Sequence, residues 1–133
     1  MTRDVRLRRV HDPPGPAAEE GFRVLVDRVW PRGIRKDRLD LDAWLRELAP
    51  SEELRRWFGH RPERWEDFRD RYLAELGGGE RGRLLEELEQ RARRGPITLL
   101  YGARDPERNQ AVVIRDVLWE RVGRGPRGGP MLG

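Results

Sequence analysis

The chain contains no cysteine, which excludes disulfides, thiolate nucleophiles and thiolate-bound zinc or iron–sulfur clusters and fits a reducing, cytoplasmic setting. Hydroxyl residues are nearly missing too. Ser51 is the only serine, and the threonines are Thr2 near the N-terminus and Thr98 inside an apolar run, so a serine-type triad has no support. Ser51 precedes Glu52-Glu53 and reads instead as a helix N-cap with acids in the first turn. The two histidines, His11 and His60, lack the spacing of a zinc or haem motif, and no metal or cofactor is expected. No stretch approaches the roughly 18 consecutive apolar residues of a membrane span, and the segment 2–9 does not resemble an export signal, so no membrane partner is expected. Neither phosphate-loop fingerprint, GxxxxGKS/T or GxGxxG, occurs.

Lysine is nearly absent as well: every basic residue except Lys36 is arginine. The 28 basic residues are offset by 24 acidic ones, for a net charge of only +4. Glu52–Arg56, Asp67–Arg71, Glu87–Arg91 and Glu89–Arg93 are spaced i,i+4 with the acid first, the pattern of a solvated helix face. Arginine usage alone does not separate GC-rich coding, thermal adaptation and phosphate recognition. At 133 residues with 36% apolar content, one core fed by tryptophan and leucine is expected.

Val5–Val10 alternates apolar and basic residues, and the prolines from Pro13 end it as a first strand. Phe22–Val29 is a second strand, closed by the loop Trp30-Pro31-Arg32-Gly33. Leu39, Leu41, Trp44, Leu45 and Leu48 keep helical spacing up to Pro50, predicting a short helix. Further helices are predicted from Ser51 to Gly59, from Pro62 to Leu76 and over Leu84–Ala92. Ile97–Tyr101 is apolar at nearly every position, as a central strand covered on both faces would be. A last helix starts at the N-cap Asn109 and runs through Val122. Residues 1–122 thus predict a single α/β domain, with the Gly/Pro/Arg-rich residues 123–133 as a disordered tail.

Strands joined through helices run parallel and deliver their C-terminal loops to one sheet edge, where ligands bind. Three strand ends break into polar residues there: His11-Asp12, Asp27-Arg28 with Arg32-Gly33, and Arg104-Asp105. Arg28, Arg32 and Arg104 suit a phosphate or carboxylate through their planar donor forks. Gly33 and Gly102 allow close backbone approach, the helix start at Asn109 adds amide donors, and Trp30 and Tyr101 are candidate walls. Asp27, Asp105 and His60 are the candidates for proton transfer. An arginine–aspartate network that only ties loops together is the competing explanation. The connection from Asp12 to Gly21 is at the lower limit for a parallel crossover. A wide hairpin is the alternative, and in it His11 leaves the site.

Leu25-Val26-Asp27-Arg28-Val29-Trp30-Pro31-Arg32-Gly33, Trp44-Leu45-Arg46-Glu47-Leu48-Ala49-Pro50-Ser51, Trp57-Phe58-Gly59-His60 and Leu99–Asp105 followed by Asn109–Val113 together resemble the domain-of-unknown-function 488 family, in its small single-domain bacterial branch. The likeness covers residues 3–122. It implies a Rossmann-like three-layer α/β fold with a small, mostly parallel sheet and about five helices. It places shared polar motifs at Asp27, Arg28, Arg32, His60, Arg104, Asp105 and Asn109, and implies no established activity. Related branches carry a Cys-His-Arg cluster near the position of Asn109-Gln110-Ala111. This chain lacks it, so cysteine- or metal-based chemistry does not transfer. Small-branch members often have histidine where Gln110 stands, which weakens a proton-transfer role at that position.

Three functions stay open at this point. One is binding, or acid–base turnover, of a phosphorylated or other anionic small molecule, nucleotide-like in kind. Another is a nucleic-acid-associated module that uses surface arginines and the tail. The third is a structural or partner-binding domain. The sequence sets neither the substrate nor the oligomeric state.

Overall fold

Ile97–Tyr101 (β4) is buried at all five positions, and this follows from its place in the sheet. The computed structural model describes residues 4–13 and 17–123, so the expected disorder of residues 124–133 lies outside the described residues. Val5–Arg9 (β1) and Phe22–Leu25 (β2) flank β4 in parallel, with Val5 and Phe22 both paired to Ile97. A two-residue strand, Ala43–Trp44 (β3), adds to the outer side of β2, giving an all-parallel sheet in the order β1-β4-β2-β3. The connection between β1 and β2 is therefore a crossover, carried by the single helical turn Ala17–Glu20 (α1).

Alternation along the strands divides the sheet faces. Val24, Val26, Ile97 and Leu99 point to one face, where they pack with Leu54, Phe68, Leu85, Val113 and Leu118 from four helices. These are Glu52–Phe58 (α2), Trp65–Glu75 (α3), Gly79–Arg94 (α4) and Gln110–Gly123 (α5). Val10, Leu25 and Leu100 face the other way, against Trp30, Ile34, Leu39, Leu41 and Trp44. The three layers of this α/β fold are thus unequal: four helices cover one face, and α1 with the segment 30–44 covers the other.

The helix predicted over Leu39–Leu48 does not form, which leaves four full helices rather than five. Two 3-10 turns, Lys36–Arg38 and Arg46–Leu48, bracket β3 instead. Leu39, Leu41 and Trp44 enter the second core while Leu45 and Leu48 enter the first, so no single helical face serves them. Backbone pairing with β2 also competes successfully: Asp42 N–H donates to the Arg23 carbonyl (2.8 Å), and Arg23 N–H donates to Asp42 Oδ2 (2.8 Å).

From the end of the 3-10 turn at Leu48 the chain crosses the core side as irregular backbone to Ser51, and side chains satisfy its carbonyls. Tyr72 Oη donates to the Leu48 carbonyl (2.7 Å), Arg81 Nε to that of Ala49 (2.8 Å) and Arg28 Nε to that of Pro50 (3.1 Å). Ser51 caps α2 as expected, its Oγ accepting from Leu54 N–H at 3.2 Å. Its own N–H and hydroxyl donate to Glu75, at 2.9 and 2.6 Å. Buried backbone without such partners costs about 1–3 kcal/mol per group.

The predicted charge lattice forms only in part. Arg56 reaches Glu52 (3.0 Å), and Arg93 reaches Glu89 (2.8 Å), but Glu89 is fully buried and also faces Arg121. Arg71 instead stacks 4.3 Å from the Trp57 ring centroid, Arg91 lies 3.8 Å from that of Phe22, and Glu87 is taken by Arg83. A guanidinium gains more from a half-buried aromatic face than from an exposed carboxylate, where an ion pair is worth roughly 0–1 kcal/mol.

Two glycines test the packing. Gly21 has φ +63°, and a Cβ there would sit 2.0 Å from the Pro96 carbonyl oxygen, whereas Gly33 has φ +82° with open space around it. Gly33→Ala carries only the left-handed backbone penalty of about 1–2 kcal/mol. Gly21→Ala adds a backbone clash and is expected to cost about 3 kcal/mol or more, so denaturant unfolding should separate the two variants clearly.

Candidate functional site

At the C-terminal ends of β2 and β4 the chain leaves the sheet in two loops, and between them opens a cavity of about 470 Å³. Asp27 to Arg32, Ala49-Pro50, the end of α2 through His60, Gly102-Ala103 and Arg108 to Gln110 line it. Its floor is set by Asp27, whose carboxylate joins three elements. Oδ2 accepts from Gly102 N–H at the end of β4 (3.0 Å), and Oδ1 accepts from Gln110 Nε2 in the first turn of α5 (2.5 Å). The Asp27 carbonyl also accepts from Trp44 Nε1 at 2.7 Å. Burial raises the Asp27 carboxyl to about 6, against the lowering effect of its bonds to Gly102 and Gln110.

Five arginines reach the cavity, Arg28, Arg32, Arg55, Arg56 and Arg108, against one carboxylate, Asp27. Glu52 pairs with Arg55 (2.7 Å) and Arg56 (3.0 Å), and Asp105 pairs with Arg108 (3.3 Å). Among the described residues neither Arg28 nor Arg32 has an ion-pair partner. Arg28 commits Nε to the Pro50 carbonyl, which aims its guanidinium and leaves the terminal nitrogens for a ligand. Arg32 is exposed at the rim.

The apolar walls come from Val29, Trp30, Pro31, Pro50, Phe58 and Phe68. Trp30 is a wall and a core residue at once: it packs edge-on to Trp44, with 5.3 Å between centroids, and donates Nε1–H to the Ile34 carbonyl. Val29 is 57% exposed, a large apolar side chain left at the lip. His60 lines the same lip with φ +59°, directly after Gly59 at φ +51°, which ends α2 by donating its N–H to the Arg55 carbonyl. A non-glycine residue held there costs about 1–2 kcal/mol, and such strain concentrates at ligand clamps.

The predicted site residues divide. Asp27, Arg28, Trp30, Arg32, His60 and Asn109 line one cavity, whereas Gly33, Tyr101, Arg104 and Asp105 do not. Tyr101 is buried in the helix-side core, and Arg104 is exposed outside the cavity. Asp105 folds its own loop: Oδ1 accepts from Glu107 N–H (2.9 Å) and Arg108 N–H (3.3 Å), and these contacts, with Arg108's charge, hold its carboxyl below the usual range. Asn109, 2% exposed, caps α5 by accepting from Ala111 and Val112 N–H. Its Nδ2 donates to the Asp105 carbonyl, so the side chain serves the backbone at both ends. His11 donates to the Arg32 carbonyl from outside the cavity.

Sequence reasoning missed Gln110, Arg55, Arg56 and Arg108. A residue in the first helical turn leans back toward the strand that precedes it, so Asn109 as N-cap was signal enough to place Gln110 over the strand ends. Arg55 and Arg56 read as helix-surface charges because nothing local says which sheet edge α2 crosses. Among the described residues no group of histidine, aspartate and glutamate is placed to hold a metal, and no helix is long and apolar enough to cross a membrane.

Comparison with known proteins gives the family. The chain is 42% identical over 116 residues to the uncharacterised protein YeaO of Escherichia coli strain K12, covering 86% of this chain and 96% of that one. It is 40% identical over 120 residues to the uncharacterised protein Rv3073c of Mycobacterium tuberculosis strain H37Rv, covering 89% and 98%. No solved structure matches it significantly. Residues 4–129 match the family model described as the inactive DUF488-N3 subclade, and the chain belongs to that family, whose function is unknown.

Proposed function

We propose that this protein binds a phosphorylated or otherwise anionic small molecule, nucleotide-like in size, in the strand-end cavity, and that it recognises this molecule without turning it over. The observation that carries the reading is the charge inventory of one concave site: five guanidinium groups against a single carboxylate, with Arg28 and Arg32 unpaired among the described residues. Its volume of about 470 Å³ falls in the range of small-molecule sites. Arginine cannot shed its charge on burial, so an unpaired guanidinium in a cleft is stabilised by an incoming anion.

Binding without turnover is favoured on two grounds. The family is described as inactive, and the candidate acid–base groups are few. Asp105 is engaged in its own turn, and Asp27 is held by donors from β4 and α5. A reducing, cytoplasmic setting, as the absence of cysteine suggests, is where phosphorylated metabolites are abundant.

Arg32→Ala removes an exposed rim charge that no described side chain uses. It should weaken sulfate binding about tenfold, or roughly 1.4 kcal/mol, and leave the unliganded melting temperature unchanged, as calorimetric titration and thermal shift would show. Equal sulfate affinity in wild type and variant removes the basis for the reading.

Asp27 supplies a second check. Its carboxyl, raised to about 6, is neutral at pH 5 and negative at pH 7.5, while sulfate keeps its charge throughout. Protonation removes a repulsion at the floor, so sulfate should bind several-fold tighter at pH 5 than at pH 7.5. In Asp27→Asn this step should shrink; identical pH profiles would show that Asp27 does not feel the anion.

A further inference from the structure

The hydrogen-bonding polarity of the cavity differs between its rim and its floor. Toward the rim the guanidinium nitrogens of Arg28 and Arg32 offer donors, with the His60 imidazole at the same lip. On the floor, both hydrogens of the Gln110 amide are directed inward, onto Asp27 Oδ1 (2.5 Å) and the Val26 carbonyl (3.4 Å). Gln110 lines the cavity, and its Oε1 has no partner among the described residues. Asp27, ionised above about pH 6, adds acceptor lone pairs beside it. The floor is therefore an acceptor surface, and apolar faces of Trp30, Phe58 and Phe68 stand among the lining.

We propose that the ligand is bipolar: a nucleoside monophosphate whose phosphate meets the arginines of the rim and whose base presents an amino N–H group to Gln110 Oε1 and the Asp27 carboxylate. This deepens the anion-binding reading and rests on it. A simple anion satisfies the rim and leaves the floor acceptors to water. A base bearing a carbonyl or only a C–H at that position sets an acceptor, or nothing, against acceptors. A site whose buried polar groups are left unpaired discriminates strongly against the mismatched ligand. The flat apolar walls suit a planar ring.

The test compares adenosine monophosphate with purine riboside 5′-monophosphate, which keeps the phosphate, sugar and ring and lacks the amino group, with inorganic phosphate as the anion-only probe. Titration calorimetry on the full chain at pH 7.5 is expected to show adenosine monophosphate binding at least tenfold tighter than the deamino analogue. Arg32→Ala should weaken both nucleotides alike and preserve their ratio. Gln110→Leu should bring the ratio toward one while leaving inorganic phosphate affinity within about twofold. The ratio is measured within each folded variant, so a change in stability does not imitate the result. Equal affinities for the two nucleotides in wild type, with Arg32 still required, overturn the bipolar ligand and leave anion binding standing. Binding of both nucleotides that is indifferent to Arg32→Ala overturns the anion reading and this inference with it.

Discussion

The Asp27 carboxylate is the contact on which the site depends. Parallel strands carry no direct hairpin between them, so beyond the last ladder bonds, such as Val26 N–H to the Leu100 carbonyl (3.0 Å), the departing loops are held together only by what they themselves supply. Here one side chain from the end of β2 accepts from the backbone at the end of β4 and from the first turn of α5. Its own carbonyl anchors Trp44 of β3. The close approach to β4 needs a residue without a Cβ, since a Cβ on Gly102 would lie 2.8 Å from Asp27 Oδ2 and 3.2 Å from the Pro31 side chain. Gly102 is therefore required for the distance it permits. The same packing that makes Asp27 a joint also removes water from it, which is why its carboxyl is raised rather than lowered despite two donors.

A second constraint builds the opposite wall. Ala49 and Pro50 line the cavity as irregular backbone, and three successive carbonyls from Leu48 to Pro50 are each met by a side chain from a different part of the chain: Tyr72, Arg81 and Arg28. The phenol of Tyr72 is fully buried, and burial pushes its ionisation far above the ordinary range, so it remains a neutral donor at every physiological pH. Arg28 thereby belongs to both systems. Its Nε fixes the wall, and the guanidinium so fixed faces the cavity without the entropy loss a free arginine suffers on binding. The bond that anchors the loop and the placement of the guanidinium at the cavity are in this residue the same arrangement.

The elements with strong periodicity and caps were legible from the sequence. The apolar run of β4 announced a central strand, and Ser51, Gly59 and Asn109 marked helix ends that form as expected. The segment 39–48 was not, because helical spacing of apolar residues is also produced when they alternate between two cores on opposite faces of a sheet, a tertiary fact absent from local pattern. In the site, residues on strand-end loops were found where their direction follows from the strand, as for Asp27 and Arg28. They were assigned to the site wrongly where a loop folds on itself. Asp105 looks like Asp27 in sequence, a carboxylate beside an arginine after a strand, yet it turns back onto its own backbone amides. Only the fold distinguishes an aspartate that reaches across elements from one that closes its own turn.

The arrangement of charge also explains how such a cavity stays folded when empty. Like charges converging on one cleft oppose the compact state, and the chain limits the cost by pairing the arginines that sit on helix and loop surfaces. Glu52 serves Arg55 and Arg56, and Asp105 serves Arg108. The two left without a carboxylate are treated differently: Arg28 is half-buried and held by a neutral carbonyl, while Arg32 is exposed to solvent, where a guanidinium is cheaply hydrated. Neutralising either with a neighbouring acid would have stabilised the empty protein and filled the site with an internal ligand. The remaining acid, Asp27, is turned toward its own donors in β4 and α5. Of the five guanidinium groups that reach the strand-end cavity, three are paired with carboxylates and two have none among the described residues, and that uneven pairing is what distinguishes this cluster from a fully neutralised loop-tying network.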